Sequence, residues 1–265
     1  MIDIAERART AMTERAELPG MSLLEHLEEL RKRIIHSGIY LVVGFFAAYT
    51  IREKLAAFME KPIVAALKAH NLDPHLVYLN PVEPFNFFIK ISLVCGAILA
   101  SPFILFQVWL FIAPGLYRNE KRYILPFMSA TVGLFRAGAF FGYHYVYPGA
   151  LTFLIGYGSQ FRPMVTLGEY TELFMTVILG LGVTFELPIL VFFLALFGIV
   201  SAGWLWRNIR YAILIIFIIS AIITPTPDVL TMCVFAAPML VLYVVSIGVA
   251  YMVHPTRRNR NKQPA

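Results

Sequence analysis

Two glutamates lie inside basic clusters where their carboxylates could bind guanidinium groups. Glu29 belongs to residues 26–33 (HLEELRKR), and Glu120 belongs to residues 118–122 (RNEKR). One carboxylate can accept two parallel hydrogen bonds from a guanidinium, so two such carboxylates could bind two successive arginines of a peptide. The alternative interpretation is a solvated run of charges whose internal ion pairs contribute little. The spacing alone leaves both interpretations open.

A third glutamate lies near the middle of an apolar run. Glu186 interrupts residues 173–200, where an ionised carboxylate would cost several kcal/mol in a bilayer. It therefore needs a partner or a function. Arg136 falls at a similar depth if the two flanking runs are antiparallel, so the two residues could form an ion pair. Alternatively, Arg136 faces a water-filled concavity or a thinned region of the bilayer.

The composition indicates a membrane protein. Hydrophobic residues make up 59% of the 265 residues, charged residues only 14%, and the mean hydropathy is +0.72. The net charge of +6 comes from basic residues that punctuate apolar runs, so it indicates membrane topology and no nucleic-acid partner. Cys95 and Cys233 fall within apolar runs, where cysteine behaves as a small hydrophobic residue. We expect no disulfide, metal site or cofactor.

The apolar runs that position these residues predict an all-α protein with six transmembrane helices. The predicted spans are residues 34–51, 85–113, 123–147, 173–198, 211–224 and 229–253. Residues 1–33 form an amino-terminal segment that becomes an amphipathic helix near its end, with no removable signal peptide. Residues 52–84 are expected to lie outside the bilayer, with four prolines preventing a long helix, and residues 148–172 form a second external segment.

The basic residues also predict the orientation. Fifteen of the twenty-two lysines and arginines lie on the same predicted side of the bilayer. They fall in residues 1–33, 117–122, 201–210 and 254–265. The positive-inside rule therefore places both termini, including the 254–265 tail, in the cytoplasm.

Three classes of function compete for such a chain. An intramembrane enzyme would need a nucleophile with its base or a metal-binding pair, and the sequence has neither His-Glu-x-x-His nor Gly-x-Ser-x-Gly, so no catalytic residues are expected. A small-solute transporter would explain Glu186 and a helix broken near Pro225, but no inverted repeat is visible. A peptide receptor explains the carboxylates at the predicted cytoplasmic face as well as the mid-span acid.

Five sequence segments together closely resemble one family. They are residues 26–33 (HLEELRKR), 101–117 (SPFILFQVWLFIAPGLY), 120–122 (EKR), 185–188 (FELP) and 226–228 (TPD). In this order and spacing they resemble TatC, the multispanning core of the twin-arginine protein translocase. The resemblance covers nearly all of residues 22–253. It implies a single integral membrane domain, a concave glove-like bundle with short fifth and sixth helices.

The resemblance also implies roles for individual residues. Glu29 and Glu120 match the family's twin-arginine-binding carboxylates, and Arg31 and Phe111 match positions tied to the same site. Two further residues match family positions, namely Pro62 of the first external loop and Asp228 after the fifth span. Three intramembrane polar residues are expected to contact partners: Glu186, Arg136 and Gln107. Arg136 departs from the family's usual aromatic or apolar residue.

The implied function is export of folded proteins across the bacterial inner membrane, driven by the proton-motive force. The expected partners are twin-arginine signal peptides of folded cargo, single-span TatA- and TatB-type subunits, membrane lipid and further copies of the chain.

Overall fold

The computed structural model describes residues 23–112, 124–158, 160–161, 163–223 and 229–260. Regular structure in these ranges is helical, apart from an isolated parallel bridge between Val77 and Thr166, which confirms the all-α prediction for the described residues. The helices are α1 (Leu23–Tyr49), α2 (Arg52–Ala69), α3 (Glu83–Ile112), α4 (Ile124–Phe141), a π-helical segment (Gly142–Val146), α5 (Tyr147–Tyr157), α6 (Leu167–Thr184), α7 (Leu187–Leu196), α8 (Ala202–Arg207), α9 (Ile209–Ile223) and α10 (Val229–Arg260).

Several of these helices could cross a membrane. Three stretches are long and apolar enough, namely Glu83–Phe111 in α3, Leu167–Leu196 across α6 and α7, and Met232–Met252 in α10. A fourth results if α1 and α2 are counted as one bent span, while α9 is apolar but short. The chain is therefore consistent with a multi-pass membrane protein, and the number of six spans stays a prediction.

Helix α1 joins two segments that the sequence analysis treated separately. The amphipathic segment and the first predicted span form one uninterrupted helix from Leu23 to Tyr49. No proline falls in this range, so nothing removes a backbone donor and the helix continues. Glu29 therefore lies in the same continuous helix as the first predicted span.

Helices α1 and α3 approach each other most closely at two glycines. A Cβ atom added to Gly44 would lie 2.5 Å from the carbonyl oxygen of Gly96, and one added to Gly96 would lie 2.6 Å from the amide nitrogen of Phe45. Only hydrogen atoms occupy this space, so the two backbones pack directly against each other. This crossing fixes the relative level of the two helices.

The expectation of no long helix in residues 52–84 is wrong. Helix α2 runs for eighteen residues with Pro62 inside it, at 83° to α1. Proline lacks an amide hydrogen, so the carbonyl of Phe58, four residues earlier, loses its usual donor. Tyr143 of the π-helical segment donates its hydroxyl to that carbonyl at 2.7 Å, and Tyr170 of α6 donates to the carbonyl of Met59. We call these two bonds the tyrosine clamp.

The largest cluster of buried side chains surrounds the tyrosine clamp. It joins α2, α3, α5, α6 and the π-helical segment, and Met59, Tyr147 and Tyr170 are almost completely buried in it. The Tyr143 ring also stacks on Phe58, with ring centroids 4.3 Å apart. Pro62 therefore lies in a helix that is firmly packed, and it contributes to that packing by freeing an acceptor.

The helix that contains the third predicted span extends beyond the bounds of that span. Helix α4, the π-helical segment and α5 follow one another without a break to Tyr157, well beyond residue 147. The predicted external segment 148–172 is consequently helical at both ends, since α6 begins at Leu167. Gly138 permits close contact with α6, because a Cβ there would lie 2.5 Å from the carbonyl oxygen of Leu181.

The fourth predicted span is distorted at its centre. Helix α6 ends at Thr184 and α7 begins at Leu187, so Phe185 and Glu186 lie between them. Pro188 cannot donate a hydrogen bond to the carbonyl of Thr184, which explains why the regular helix stops there. The distortion places the backbone of Glu186 outside regular helix.

Candidate functional site

Glu29 is paired within α1. The Nη2 atom of Arg33, one turn later, donates to the Oε1 atom of Glu29 at 3.0 Å. The Glu29 side chain is 15% exposed and that of Arg33 is 29% exposed, so water reaches this pair only partly. A charge-assisted bond in such surroundings is stronger than a fully solvated one.

Gln107 of α3 completes this arrangement. Its Oε1 atom accepts a hydrogen bond from Nη1 of Arg33 at 3.1 Å, and its side chain is buried. Arg33 lies eleven residues before Gly44 in α1, and Gln107 lies eleven residues after Gly96 in α3. Because the two helices are antiparallel and cross at these glycines, Arg33 and Gln107 lie at the same level. Gln107 is thus brought next to Glu29, whereas the sequence analysis grouped it with Glu186 and Arg136.

Two buried polar atoms of this pair lack a hydrogen-bond partner within the described part of the chain. They are Oε2 of Glu29 and Nε of Arg33. A buried polar atom without a partner costs about 1–3 kcal/mol, and more when the group is charged. One oxygen of the carboxylate therefore accepts a hydrogen bond, and the other, although buried, accepts none from the described residues.

An aromatic pair flanks the same carboxylate. The ring of His26, three residues before Glu29 on α1, stacks on the ring of Phe111 near the end of α3, with centroids 4.4 Å apart and planes 16° from parallel. Phe111 therefore contacts His26, which lies on the same face of α1 as Glu29. We refer to His26, Glu29, Arg33, Gln107 and Phe111 as the Glu29 site.

The other charged residues of the same segment face solvent. Glu28 forms an exposed ion pair with Lys32 at 2.9 Å. The hydrogen bond and the positive charge of Lys32, followed by the charge of Arg31, hold the pKa of Glu28 below its usual range. Arg31 is exposed and takes no part in the hydrogen bonds or ring contact described above for the Glu29 site, although the resemblance ties it to that site.

Two of the predicted site residues lie outside the described residues. Glu120 falls in the interval between α3 and α4, and Asp228 falls in the interval between α9 and α10. Their roles stay predictions.

The mid-span charges do not pair with each other. Glu186 is half-buried, and its Oε1 atom is buried without a partner among the described residues. Arg136 is exposed on α4, and the ion pairs of the described chain include none between these two residues. Phe135, next to Arg136 on α4, faces α6, since its ring lies 3.0 Å from the position of a Cβ atom added to Gly182. Adjacent residues of a helix point in different directions, so Arg136 points to another side of α4.

Sequence reasoning missed two residues of the Glu29 site. Arg33 and His26 stand in the quoted motif, but neither was assigned a role. The four-residue step from Glu29 to Arg33 is the spacing at which opposite charges meet on a helix, so this signal was present. The contact of Arg33 with Gln107 carried no local signal, because seventy-four residues separate them.

Comparison with known proteins places these features in one family. Residues 25–238 match the family described as Sec-independent protein translocase protein (TatC). A curated TatC of Koribacter versatilis is 60% identical over 262 residues, which cover 99% of this chain and 96% of the relative. A TatC of Aquifex aeolicus is 38% identical over 248 residues, which cover 92% of this chain and 100% of the relative.

Solved structures agree with the sequence relatives. A crystal structure of a twin-arginine translocase receptor, TatC, superposes with a TM-score of 0.77 at 36% identity and covers 86% of this chain and 99% of the other. A second crystal structure of such a receptor, in the detergent DDM, also has a TM-score of 0.77, at 38% identity, and covers 85% and 99% of the two chains.

Proposed function

This chain belongs to the TatC family of Sec-independent protein translocase proteins, and from that premise we propose that it is the receptor for twin-arginine signal peptides. Members of this family are components of a protein translocase, and the family is not one of enzymes. The observation that carries the proposal is the carboxylate of Glu29, which already binds one guanidinium and has a second, buried oxygen without a partner among the described residues.

The proposed recognition uses Oε2 of that carboxylate, the oxygen to which Arg33 does not donate. Arginine presents a planar fork of donors that lysine lacks, so a site built around a guanidinium favours arginine in the peptide. Arg33 shows that a guanidinium is accommodated at this position. We assign the first arginine of the signal to Glu29 and the second to Glu120, with Arg31 and Phe111 bordering the site.

The site would face the cytoplasm. Both chain termini are proposed to lie there, with the chain crossing the bacterial inner membrane six times, and the excess of basic residues on that side supports this orientation. The apolar part of the signal would then insert along the concave side of the helix bundle. Export of the folded cargo would require single-span TatA- and TatB-type subunits and the proton-motive force.

Photocrosslinking tests this assignment. A photoreactive phenylalanine derivative at position 111 of the full chain in native membranes leaves Glu29 and Glu120 in place, and it is expected to capture a signal peptide with two arginines and much less of the same peptide with two lysines. A matched photoreactive residue at position 28 should give little product, because Glu28 is exposed and pairs with Lys32. Equal capture of both peptides at position 111 would contradict the proposal.

Glu186 is assigned a different role, contact with a single-span subunit. Its buried Oε1 atom, which accepts no hydrogen bond from the described part of the chain, lies at the distortion between α6 and α7, where a polar group of a neighbouring helix could donate to it. Glu186→Gln keeps the side-chain volume, so it is expected to reduce copurification of a single-span subunit by severalfold without reducing binding of the signal peptide. Unchanged copurification would refute this role.

A further inference from the structure

We propose that Gln107 is a positioning residue that keeps the Glu29 carboxylate half-open by holding Arg33 away from a complete pair with it. This inference rests on the proposed function, because its consequence is the affinity for the arginines of the signal peptide. It adds to that function an internal competitor, Arg33, and a residue on another helix that restrains the competitor.

The geometry shows an incomplete pair. A guanidinium that binds a carboxylate side-on uses Nε and one Nη atom for two parallel hydrogen bonds to the two oxygens. Here Arg33 makes only the bond from Nη2 to Oε1 of Glu29. The donor and acceptor of the second bond, Nε of Arg33 and Oε2 of Glu29, are both present, both buried and both without a partner in the described chain.

Gln107 explains why the second bond is absent. It binds the remaining arm of the same guanidinium, Nη1, at 3.1 Å from the side of α3. Because the guanidinium is planar and rigid, this bond fixes the orientation of the whole fork. The crossing of α1 and α3 at Gly44 and Gly96 holds Gln107 at this level.

Two arrangements of Arg33 follow from this. In the open arrangement, which the structure contains, Gln107 holds one arm and Oε2 of Glu29 accepts no hydrogen bond from the described residues, so a peptide guanidinium that displaces the side chains covering this oxygen can bind it. In the closed arrangement Arg33 would use both carboxylate oxygens and leave Gln107. A peptide binds the closed arrangement only after breaking a charge-assisted bond, so the apparent affinity falls with the fraction of molecules that are open.

The test measures binding of a fluorescent peptide with two consecutive arginines to the purified full chain in detergent. Gln107→Leu removes the acceptor for Nη1, and we expect the Kd to rise roughly tenfold, which corresponds to one hydrogen bond to a charged group. Ser101→Ala on the same helix is the matched control, because Ser101 is buried but bonds only within α3, to the carbonyl of Ile98. Its Kd should match that of the parent.

The decisive comparison repeats Gln107→Leu in an Arg33→Lys background. Lysine carries a point charge and cannot form the two-bond fork, so the loss of Gln107 should then change the Kd by less than twofold. An equal rise in both backgrounds, or no rise in the parent, overturns the inference. Thermal unfolding of each variant checks its folding, and Gln107→Met, which is closer in length, is used if leucine destabilises the chain.

The same measurement separates this inference from the proposed function. If Glu29→Gln lowers the affinity while Gln107→Leu does not, the receptor assignment stands and the positioning role of Gln107 is wrong. If Glu29→Gln binds the peptide as tightly as the parent, the assignment of Glu29 as the arginine-binding carboxylate fails first.

Discussion

Glu29→Gln is expected to raise the Kd for a twin-arginine peptide by about 10- to 100-fold. The substitution keeps the shape of the side chain but removes the negative charge, and hydrogen bonds to charged groups contribute roughly 1.5–3 kcal/mol. The loss should be large because the carboxylate is only 15% exposed, so water replaces the missing interaction poorly. Fluorescence anisotropy of a labelled peptide measures the effect on the full chain.

Glu28→Gln is the matched control, since it makes the same chemical change on the adjacent residue. Glu28 is exposed and pairs with Lys32, so its loss should change the Kd by less than about twofold. A peptide with two lysines should bind weakly to the parent and be little affected by either substitution. Similar effects of the two substitutions would mean that general charge, rather than the carboxylate of Glu29, attracts the peptide.

Gly96→Val is expected to destabilise the protein by about 3 kcal/mol or more. The Cβ atom would lie 2.6 Å from the amide nitrogen of Phe45 and 2.8 Å from its Cα atom, and backbone atoms cannot move aside as a flexible side chain can. Overpacking of this kind usually costs about 1–3 kcal/mol and more when the backbone must shift. Separation of α1 from α3 would also break the bond between Arg33 and Gln107.

Thermal unfolding in detergent and the yield of folded protein measure this loss. Gly38→Val is the matched control, because Gly38 lies in α1 and a Cβ added there meets nothing within 4 Å. It should leave the unfolding temperature within a few degrees of the parent. An equally small effect of Gly96→Val would show that the close crossing of α1 and α3 is not required for folding.

The helical class could be predicted because apolar runs of bilayer length allow few other structures. The chemistry of Glu29 could also be predicted, since a carboxylate among arginines suggests guanidinium binding whatever the fold. The occupant of that carboxylate is Arg33, whose four-residue spacing from Glu29 is visible in the sequence. These features depend on composition or on contacts within one helix turn.

The remaining features depend on contacts between distant segments. Helix α2 was expected to be interrupted by Pro62, and the expectation was wrong because Tyr143, eighty-five residues from Phe58, supplies a donor to the carbonyl that the proline leaves free. The bond between Arg33 and Gln107 was not predicted, because the partner of Gln107 on α1 is set by the crossing at two glycines. A single sequence contains no local signal for such pairings.

The tyrosine clamp implies that helix α2 is stiffer than the ends of α1 and α3 near Glu29. Helix α2 is anchored by two hydroxyl bonds and the largest apolar cluster, whereas the described contacts between the ends of α1 and α3 near Glu29 are the bond from Arg33 to Gln107 and the stacking of His26 on Phe111. Conformational change during a transport cycle should therefore be concentrated near Glu29, with α2 serving as a fixed base. Amide hydrogen exchange should be slow in α2 and fast in the first two turns of α1.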